Sequence, residues 1–260
     1  MTLHHELTGS GPTVVLVHEG IADSRMWDPQ WTSFAEGYRL VRLDLAGFGG
    51  SPIERLPLTN ARDVIGLLDG LGIADAALVG ASMGGRVVLE VAVARPDLAR
   101  ALVLVDSGLP GVGWSEAVRA YQRAEEEAAG RGDLDAAVEA NLRMWIDGPN
   151  RAPGDVDPDV RRAVAQMLHH AFELQLPHLA DLDEELLVPD VAGRLGEIRA
   201  PALVLVGSED VEDMQAIARK LAAEIPAARL ETIAGAAHMP SLERPAVFDE
   251  LVLGFLAEVL

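Results

Sequence analysis

The sequence predicts an open, wound α/β fold in which a mostly parallel sheet is flanked by helices and carries a helical insertion. Three observations predict it. Short aliphatic and β-branched runs are apolar almost throughout, which is typical of parallel strands covered on both faces. Segments with helical spacing separate these runs. Between about residues 110 and 195 this alternation stops, and helical stretches broken by Pro and Gly replace it.

The predicted strands follow one another along the chain. Near the N-terminus, LHHEL could form a weak strand that leads into the turn GSGP. The later run ARLETIA (228–234) is more polar, so we expect it near the edge of the sheet. The five strongly apolar runs are TVVLVH (13–18), YRLVRLD (38–44), AALVG (76–80), ALVLVD (101–106) and PALVLVG (201–207).

Helical patterns lie between the strands and throughout the insertion. In the insertion, SEAVRAYQRAEEEAAG and DPDVRRAVAQMLHHAFELQ have helical spacing, and the acidic run 125–127 is expected to be a solvated helix face. We therefore predict a core formed by residues 1–109 and 196–260, and a helical cap (110–195) over the ligand edge of the sheet. The helices expected in the core span roughly 59–71, 83–94, 213–224 and 244–259.

Composition excludes several classes of function. The 260 residues are 49 % hydrophobic, enough for a sizeable core, and 41 acidic against 21 basic side chains give a net charge of −20. This charge repels nucleic acid and anionic membranes, so a small-molecule substrate is expected, and a homo-oligomer stays open. The absence of cysteine excludes disulfides, thiolate nucleophiles and cysteine metal sites. Without a signal-peptide pattern or an apolar run of roughly 18 residues, the default prediction is a cytoplasmic protein.

The stretch GASMGG (80–85) predicts the nucleophile. Gly80, Ser82 and Gly84 fit the GxSxG elbow, a sharp strand-to-helix turn that exposes a serine. A serine needs a base to take its proton and a carboxylate to orient that base. Asp210 and His238 both follow predicted strands, in the order serine, acid, histidine that this elbow requires.

With these residues in place, the chain resembles the α/β-hydrolase fold family over essentially its whole length. The resemblance implies that Ser82 is the nucleophile, His238 the general base and acid, and Asp210 its orienting partner. It further implies hydrolysis of a small, largely uncharged ester, lactone or thioester through an acyl-serine, without metal or other cofactor. The segments that carry it are VHEG with Trp27 downstream, DLAGFGGS (44–51), GASMGG, LVGSED (205–210) and GAAHMPSLERP (235–245).

The predicted oxyanion hole contains the one departure from the family pattern. One donor should be the amide of Met83, at a helix start, and the other the amide of Gly20. Similar enzymes have glycine where this chain has Glu19. Glu19 either turns away and pairs elsewhere, or faces the pocket and binds a polar or cationic substrate group. Other candidate pocket residues are Ile21, Trp145 and Met239.

Several alternatives remain at this stage. Asp106, at the end of ALVLVD, is a rival for the acid. Asp44 and His18 are expected to brace turns, and the adjacent His169 and His170 point about 100° apart on a helix, which argues against a metal site. Similar sequences also include enol-lactone hydrolases, carbon–carbon bond hydrolases and cofactor-free perhydrolases, and a ligand receptor of the same fold is a further alternative.

Overall fold

The structure, a computed structural model, describes residues 3–260 and contains one seven-stranded sheet in the order β1-β3-β2-β4-β5-β6-β7. Strand β1 runs antiparallel to β3, and the other neighbouring strands are parallel. All six strands predicted from the runs are present, and the weaker LHHEL segment overlaps β1. The bounds are β1 (His5–Gly9), β2 (Thr13–Val17), β3 (Arg39–Leu43), β4 (Ala76–Ala81), β5 (Ala99–Val105), β6 (Ala202–Gly207) and β7 (Ala228–Ile233).

Two apolar clusters, one on each face of the sheet, explain why the strand runs lack polar alternation. In β2, Val15 and Val17 belong to one cluster, while Val14 and Leu16 belong to the other. Successive side chains of a strand point to opposite faces, so both sets must be apolar. The polar strand β7 lies at the edge of the sheet, as its sequence predicts.

Helices cover both faces and follow the alternation expected from the sequence. Those near 59–71, 83–94, 213–224 and 244–259 are present, whereas α1 was not predicted. The bounds are α1 (Asp28–Ala35), α2 (Asn60–Gly70), α3 (Met83–Ala94), α4 (Glu116–Gly130), α5 (Leu134–Asn141), α6 (Pro158–Gln175), α7 (Glu212–Glu224), α8 (Pro240–Glu243) and α9 (Pro245–Val259).

The segment between β5 and β6 contains α4, α5, a π-helical turn (Leu142–Asp147) and α6. Arg86 on α3 joins the C-terminal part of this segment to the core. Its guanidinium donates to Glu90, also on α3, at 2.7 Å and to Glu184, in the segment, at 2.6 Å. The division into core and cap at 110 and 195 stays a prediction. Within residues 3–260, no helix combines the length and apolar character needed to cross a membrane.

Candidate active site

Ser82 lies at the tight turn between β4 and α3, in a strained conformation. Its φ of 47° is positive, which is uncommon for a residue with a side chain. A Cβ at Gly80 would collide with the Gly84 carbonyl, and a Cβ at Gly84 would collide with the carbonyls of Val17 and His18. The two glycines therefore let strand and helix approach closely enough to hold the serine at this turn.

Asp210 and His238 form a buried pair beside this turn. Nδ1 of His238 lies 2.6 Å from Oδ2 of Asp210, and both residues are almost fully buried. Burial by itself would lower the pKa of His238, but the charge and hydrogen bond of Asp210 raise it above its usual value. With Nδ1 held by the carboxylate, Nε2 is the nitrogen left to exchange a proton with a substrate or with Ser82.

Ser82 and His238 line the same pocket. Among residues 3–260, no hydrogen bond joins the Ser82 hydroxyl to the imidazole. Such bonds are often long before substrate binds.

Trp145, in the π-helical turn of the insertion, contacts both the main chain and the ring of His238. The His238 N–H donates to the Trp145 carbonyl at 3.1 Å, and the indole and imidazole ring centroids are 4.5 Å apart. The sequence predicts Trp145 as a pocket residue but does not predict its main-chain contact with the base, because the two residues are far apart in the chain.

The turn after β2 is braced by His18, as its sequence position predicts. Leu45 N–H donates to His18 Nε2 at 2.9 Å, so the ring proton is on Nδ1, which donates to the Glu19 carbonyl at 2.7 Å. Burial lowers the pKa of His18, which keeps the ring neutral, as this pattern requires. Gly20 then lies beside the start of α3, where a Cβ at this position would be 3.8 Å from the Met83 Cβ.

Glu19 does not pair elsewhere. The residue is fully buried, and within residues 3–260 neither carboxyl oxygen has a hydrogen-bond partner. Burial raises its pKa to about 8, although the charge of His238 acts in the opposite direction. The hypothesis that Glu19 pairs elsewhere is therefore wrong, and the hypothesis that it binds a substrate group stays a prediction.

Two pockets meet at Ser82. The large pocket, about 510 Å³, is lined mainly by apolar residues that include Leu109, Val112 and Trp114. The small pocket, about 250 Å³, is lined by His238 and by polar residues. Ser82, Met83 and Trp145 line both pockets. A molecule bound at Ser82 can therefore extend one end into each pocket.

The small pocket contains most of the predicted oxyanion and pocket residues, together with several that sequence reasoning missed. Glu19, Gly20 and Ile21 line it, whereas Met239 lines neither pocket and is fully buried in the core. Glu125 corrects the expectation of a solvated acidic run, because its carboxylate accepts from Asn141 at 2.7 Å and lines this pocket. The further lining residues are Tyr121, Gln122 and Asn141.

Asp106 lies behind the pair, but the carboxylate bound to the imidazole is that of Asp210. Asp106 is fully buried at a φ of 40° and accepts from Gly207 N–H at 3.1 Å. Burial and the charge of Asp210 raise the pKa of Asp106 well above its usual value.

These same groups are the ones whose ligand atoms lie close enough for a metal ion. Atoms of Asp106, Asp210 and His238 lie within 4.8 Å of one another. However, the atoms of Asp210 and His238 are already hydrogen-bonded to each other, so an ion would have to break that pair. His169 and His170 lie apart from this group, since His169 contacts Asp135 and His170 contacts the Gly49 carbonyl.

Comparison with known proteins agrees with this geometry. Residues 14–251 match the family described as "Alpha/beta hydrolase family". A protein of Azorhizobium caulinodans, named as a candidate carbamate hydrolase, RutD, is 29 % identical over 263 residues, covering 99 % of this chain and 96 % of its own. A 2-hydroxy-6-oxo-6-phenylhexa-2,4-dienoate hydrolase of Burkholderia cepacia is 28 % identical over 270 residues, covering 98 % and 91 %. The solved enol-lactonase of Burkholderia xenovorans superposes with a TM-score of 0.80 at 25 % identity, covering 98 % and 96 %.

Proposed function

This chain belongs to the alpha/beta hydrolase family, and from that premise we propose that it hydrolyses small carboxylic esters, lactones or thioesters through an acyl-serine intermediate. The observation that carries the proposal is the hydrogen-bonded pair of Asp210 and His238, which shares a pocket with Ser82 at a strained turn. The three side chains come from segments after β4, β6 and β7, at the carboxyl end of the sheet.

The proposed reaction has two stages. In the first, the Ser82 hydroxyl gives its proton to His238 Nε2 as Oγ bonds to the carbonyl carbon, and the new oxyanion accepts from the amides of Met83 and Gly20. The carbonyl re-forms, and the leaving oxygen takes the proton from His238. In the second, His238 removes a proton from water as the water oxygen bonds to the acyl carbon; the bond to Oγ then breaks, Oγ takes the proton from His238, and the acid is released. Asp210 fixes the imidazole tautomer and stabilises the imidazolium in both stages.

The two pockets indicate in which orientation the substrate binds. His238 must protonate the leaving oxygen, and it lines the small pocket but not the large one. The leaving group therefore belongs in the small pocket, and the acyl chain in the large pocket. Because the large pocket is mainly apolar, the acyl chain is expected to be uncharged.

The names of the relatives support acyl chemistry without choosing a substrate. A lactone is a cyclic ester, and a carbamate presents a similar carbonyl carbon to the nucleophile. Fold and triad are compatible with all of these reactions.

Labelling with a serine-directed fluorophosphonate tests the nucleophile directly. Wild type should be labelled, and Ser82→Ala should be neither labelled nor active on aryl esters. A panel of aryl esters with increasing acyl length, together with simple lactones, then measures the depth of the large pocket. Undiminished hydrolysis by Ser82→Ala would exclude the proposed nucleophile, and labelling without turnover of any substrate would instead favour a ligand receptor.

A carbon–carbon bond hydrolase is the second candidate, favoured by the 28 % identical dienoate hydrolase. Cleavage of a vinylogous diketone bleaches its absorbance, so the same enzyme preparation can be assayed by spectrophotometry. A kcat/KM for the diketone above that for every ester and lactone in the panel would favour this second function.

A further inference from the structure

Glu19 is a buried acid that lacks a hydrogen-bond donor. Both carboxyl oxygens are closed to solvent and without a partner within residues 3–260, whereas the nearby Asp44 accepts from Ser24 and Gly50. An unpaired buried carboxyl destabilises a fold, because its lost hydration is not replaced. Similar enzymes have glycine at this position. We therefore expect the acid in this chain to gain a hydrogen bond or an ion pair when a ligand is bound.

The residues around Glu19 indicate which kind of ligand group would pair with its carboxyl. Glu19 lines the small pocket with a second acid, Glu125, and none of the residues lining that pocket in the described chain is Lys or Arg. Two aromatic rings, Tyr121 and Trp145, also line it and pack edge to face with centroids 5.5 Å apart. Carboxyl groups beside aromatic faces are the surroundings that an alkylammonium group prefers.

We propose that Glu19 is a specificity-determining residue whose carboxyl, closed to solvent in the empty site, turns into the small pocket to bind a positively charged amino group carried by the leaving group of the substrate. The inference rests on the proposed function, because it places the leaving group in the small pocket. The expectation of an uncharged substrate then applies only to the acyl group, because the leaving group carries a positive charge. The natural substrate class is then an ester of a small amino alcohol.

Glu19 can change its charge when such a ligand binds. Burial raises the pKa of Glu19 to about 8, so Glu19 is mainly uncharged at pH 7 in the empty site and does not oppose the oxyanion turn beside it with a carboxylate. An ammonium group in contact with the carboxyl favours the ionised form, and the carboxyl proton passes to solvent. The bound pair is then a carboxylate and an ammonium, with no net charge added to the pocket.

Four esters with the same acyl group separate charge from hydrogen-bond donation. The 2-(dimethylamino)ethyl ester, which is protonated at pH 7, has the shape of the neutral 3-methylbutyl ester. The choline ester, a cation without an N–H, has the shape of the neutral 3,3-dimethylbutyl ester. The quantity measured is the ratio of kcat/KM within each pair, for wild type, Glu19→Gln and Glu19→Ala. Glu231→Gln, on the exposed surface of β7, controls for the change in net charge.

We expect wild type and Glu231→Gln to prefer the dimethylamino ester, and both Glu19 variants to lose about 10- to 100-fold of that preference. A similar loss in the choline pair would show that charge alone is recognised, and a loss confined to the dimethylamino pair would show that the N–H is required. If Glu19→Ala does not fold, Glu19→Gln carries the test, because it removes only the charge.

A wild type with no preference for the cation, or a preference that the Glu19 variants keep, would overturn the inference. Such a result leaves the proposed function intact as long as hydrolysis still depends on Ser82. If Ser82→Ala hydrolyses all four esters at the wild-type rate, the proposed function fails instead.

Discussion

A buried carboxyl with a raised pKa makes folding depend on pH, and Glu19 is such a group. Its pKa is about 8 in the folded protein against an ordinary value of 4.5. Between these values the folded state holds a proton that the unfolded state has released, so stability falls as pH rises. Glu19→Gln removes this dependence. We expect its stability gain over wild type to grow by up to about 3–5 kcal/mol between pH 5 and pH 9.

Urea unfolding of both proteins at pH 5, 7 and 9 measures this difference. Other buried acids are present in both proteins, so their contributions largely cancel. Glu231→Gln should show a constant small difference from wild type at all three pH values. A gain for Glu19→Gln that is the same at pH 5 and pH 9 would mean that Glu19 ionises normally in the folded protein.

Asp210 and Asp106 are both buried acids near His238, but they should respond very differently to substitution. Asp210→Asn removes the charge that orients the imidazole and stabilises the imidazolium, so kcat should fall by roughly 10³- to 10⁴-fold. Asp106→Asn replaces a carboxyl that does not contact the imidazole, and whose pKa is raised by burial, with a neutral amide of similar shape. The amide oxygen can still accept from Gly207 N–H, so kcat should fall less than about tenfold.

Steady-state kinetics on one aryl ester, with enzyme concentration fixed by fluorophosphonate titration, compares the two variants. The reverse order, with Asp106→Asn the weaker enzyme, would identify Asp106 as the functional acid. Circular dichroism spectra of both variants guard against a loss of fold.

Ser82, Asp210 and His238 could be predicted from the sequence because each carries a local signal. The serine lies among obligatory glycines, and the other two follow apolar strands. The state of Glu19 could not be predicted. Whether a carboxyl finds a donor depends on residues brought from the insertion and from the segment after β7, and no local pattern encodes that contact. The same holds for Glu125, whose neighbours Glu126 and Glu127 are exposed as expected.

The turn from β4 to α3 has no room for a side chain at its glycines, and a comparison of Gly84→Ala with Gly66→Ala tests this. At Gly84 a Cβ would strike the main-chain carbonyls of Val17, at the end of β2, and of His18, in the braced turn that follows, and neither can move freely. Gly84→Ala should therefore cost more than about 3 kcal/mol of stability or prevent folding. At Gly66, in α2, nothing lies within 4 Å of an added Cβ, and Gly66→Ala should stabilise by about 0.5–1 kcal/mol.

Thermal unfolding followed by circular dichroism measures both variants against wild type. Opposite shifts in Tm are expected from the same chemical change, one in a crowded turn and one on an open helix. A Gly84→Ala protein as stable as wild type would show that the elbow can open without loss.

Helices and strands with a strong hydrophobic pattern were predicted from the sequence, and elements with a weak pattern were not. The apolar runs of the parallel strands and the long helices α4 and α6 were all identified. Helix α1, of eight residues, was missed, although Pro29 in its first turn and the spacing of Trp31 and Phe34 were available signals. The π-helical turn (Leu142–Asp147) has no such signal, because its shape depends on contacts such as those of Asp147 with Arg143 and Arg161.

At the scale of the whole molecule, the parallel sheet explains how distant residues share one site. The segments after β2, β4, β6 and β7 all leave the sheet at the same edge, so the predicted oxyanion turn, nucleophile, acid and base converge although they span residues 18 to 238. The mostly parallel direction of the strands could be predicted, and with it the convergence, whereas the strand order was not predicted. Pocket size and charge could not, since they depend on how the insertion packs over that edge.

The net charge of −20 adds a long-range effect to the local contacts at Glu19. A strongly negative protein concentrates cations near its surface, and salt screens this attraction within about 10 Å at 0.1 M ionic strength. Raising ionic strength from about 0.01 to 0.5 M should therefore lower kcat/KM for the dimethylamino ester at least about threefold, and leave its neutral 3-methylbutyl isostere nearly unchanged. The effect should persist in Glu19→Gln, because this substitution leaves the acidic surface unchanged. A salt response that disappears with Glu19 would mean that attraction of the cation comes from that single carboxyl rather than from the acidic surface.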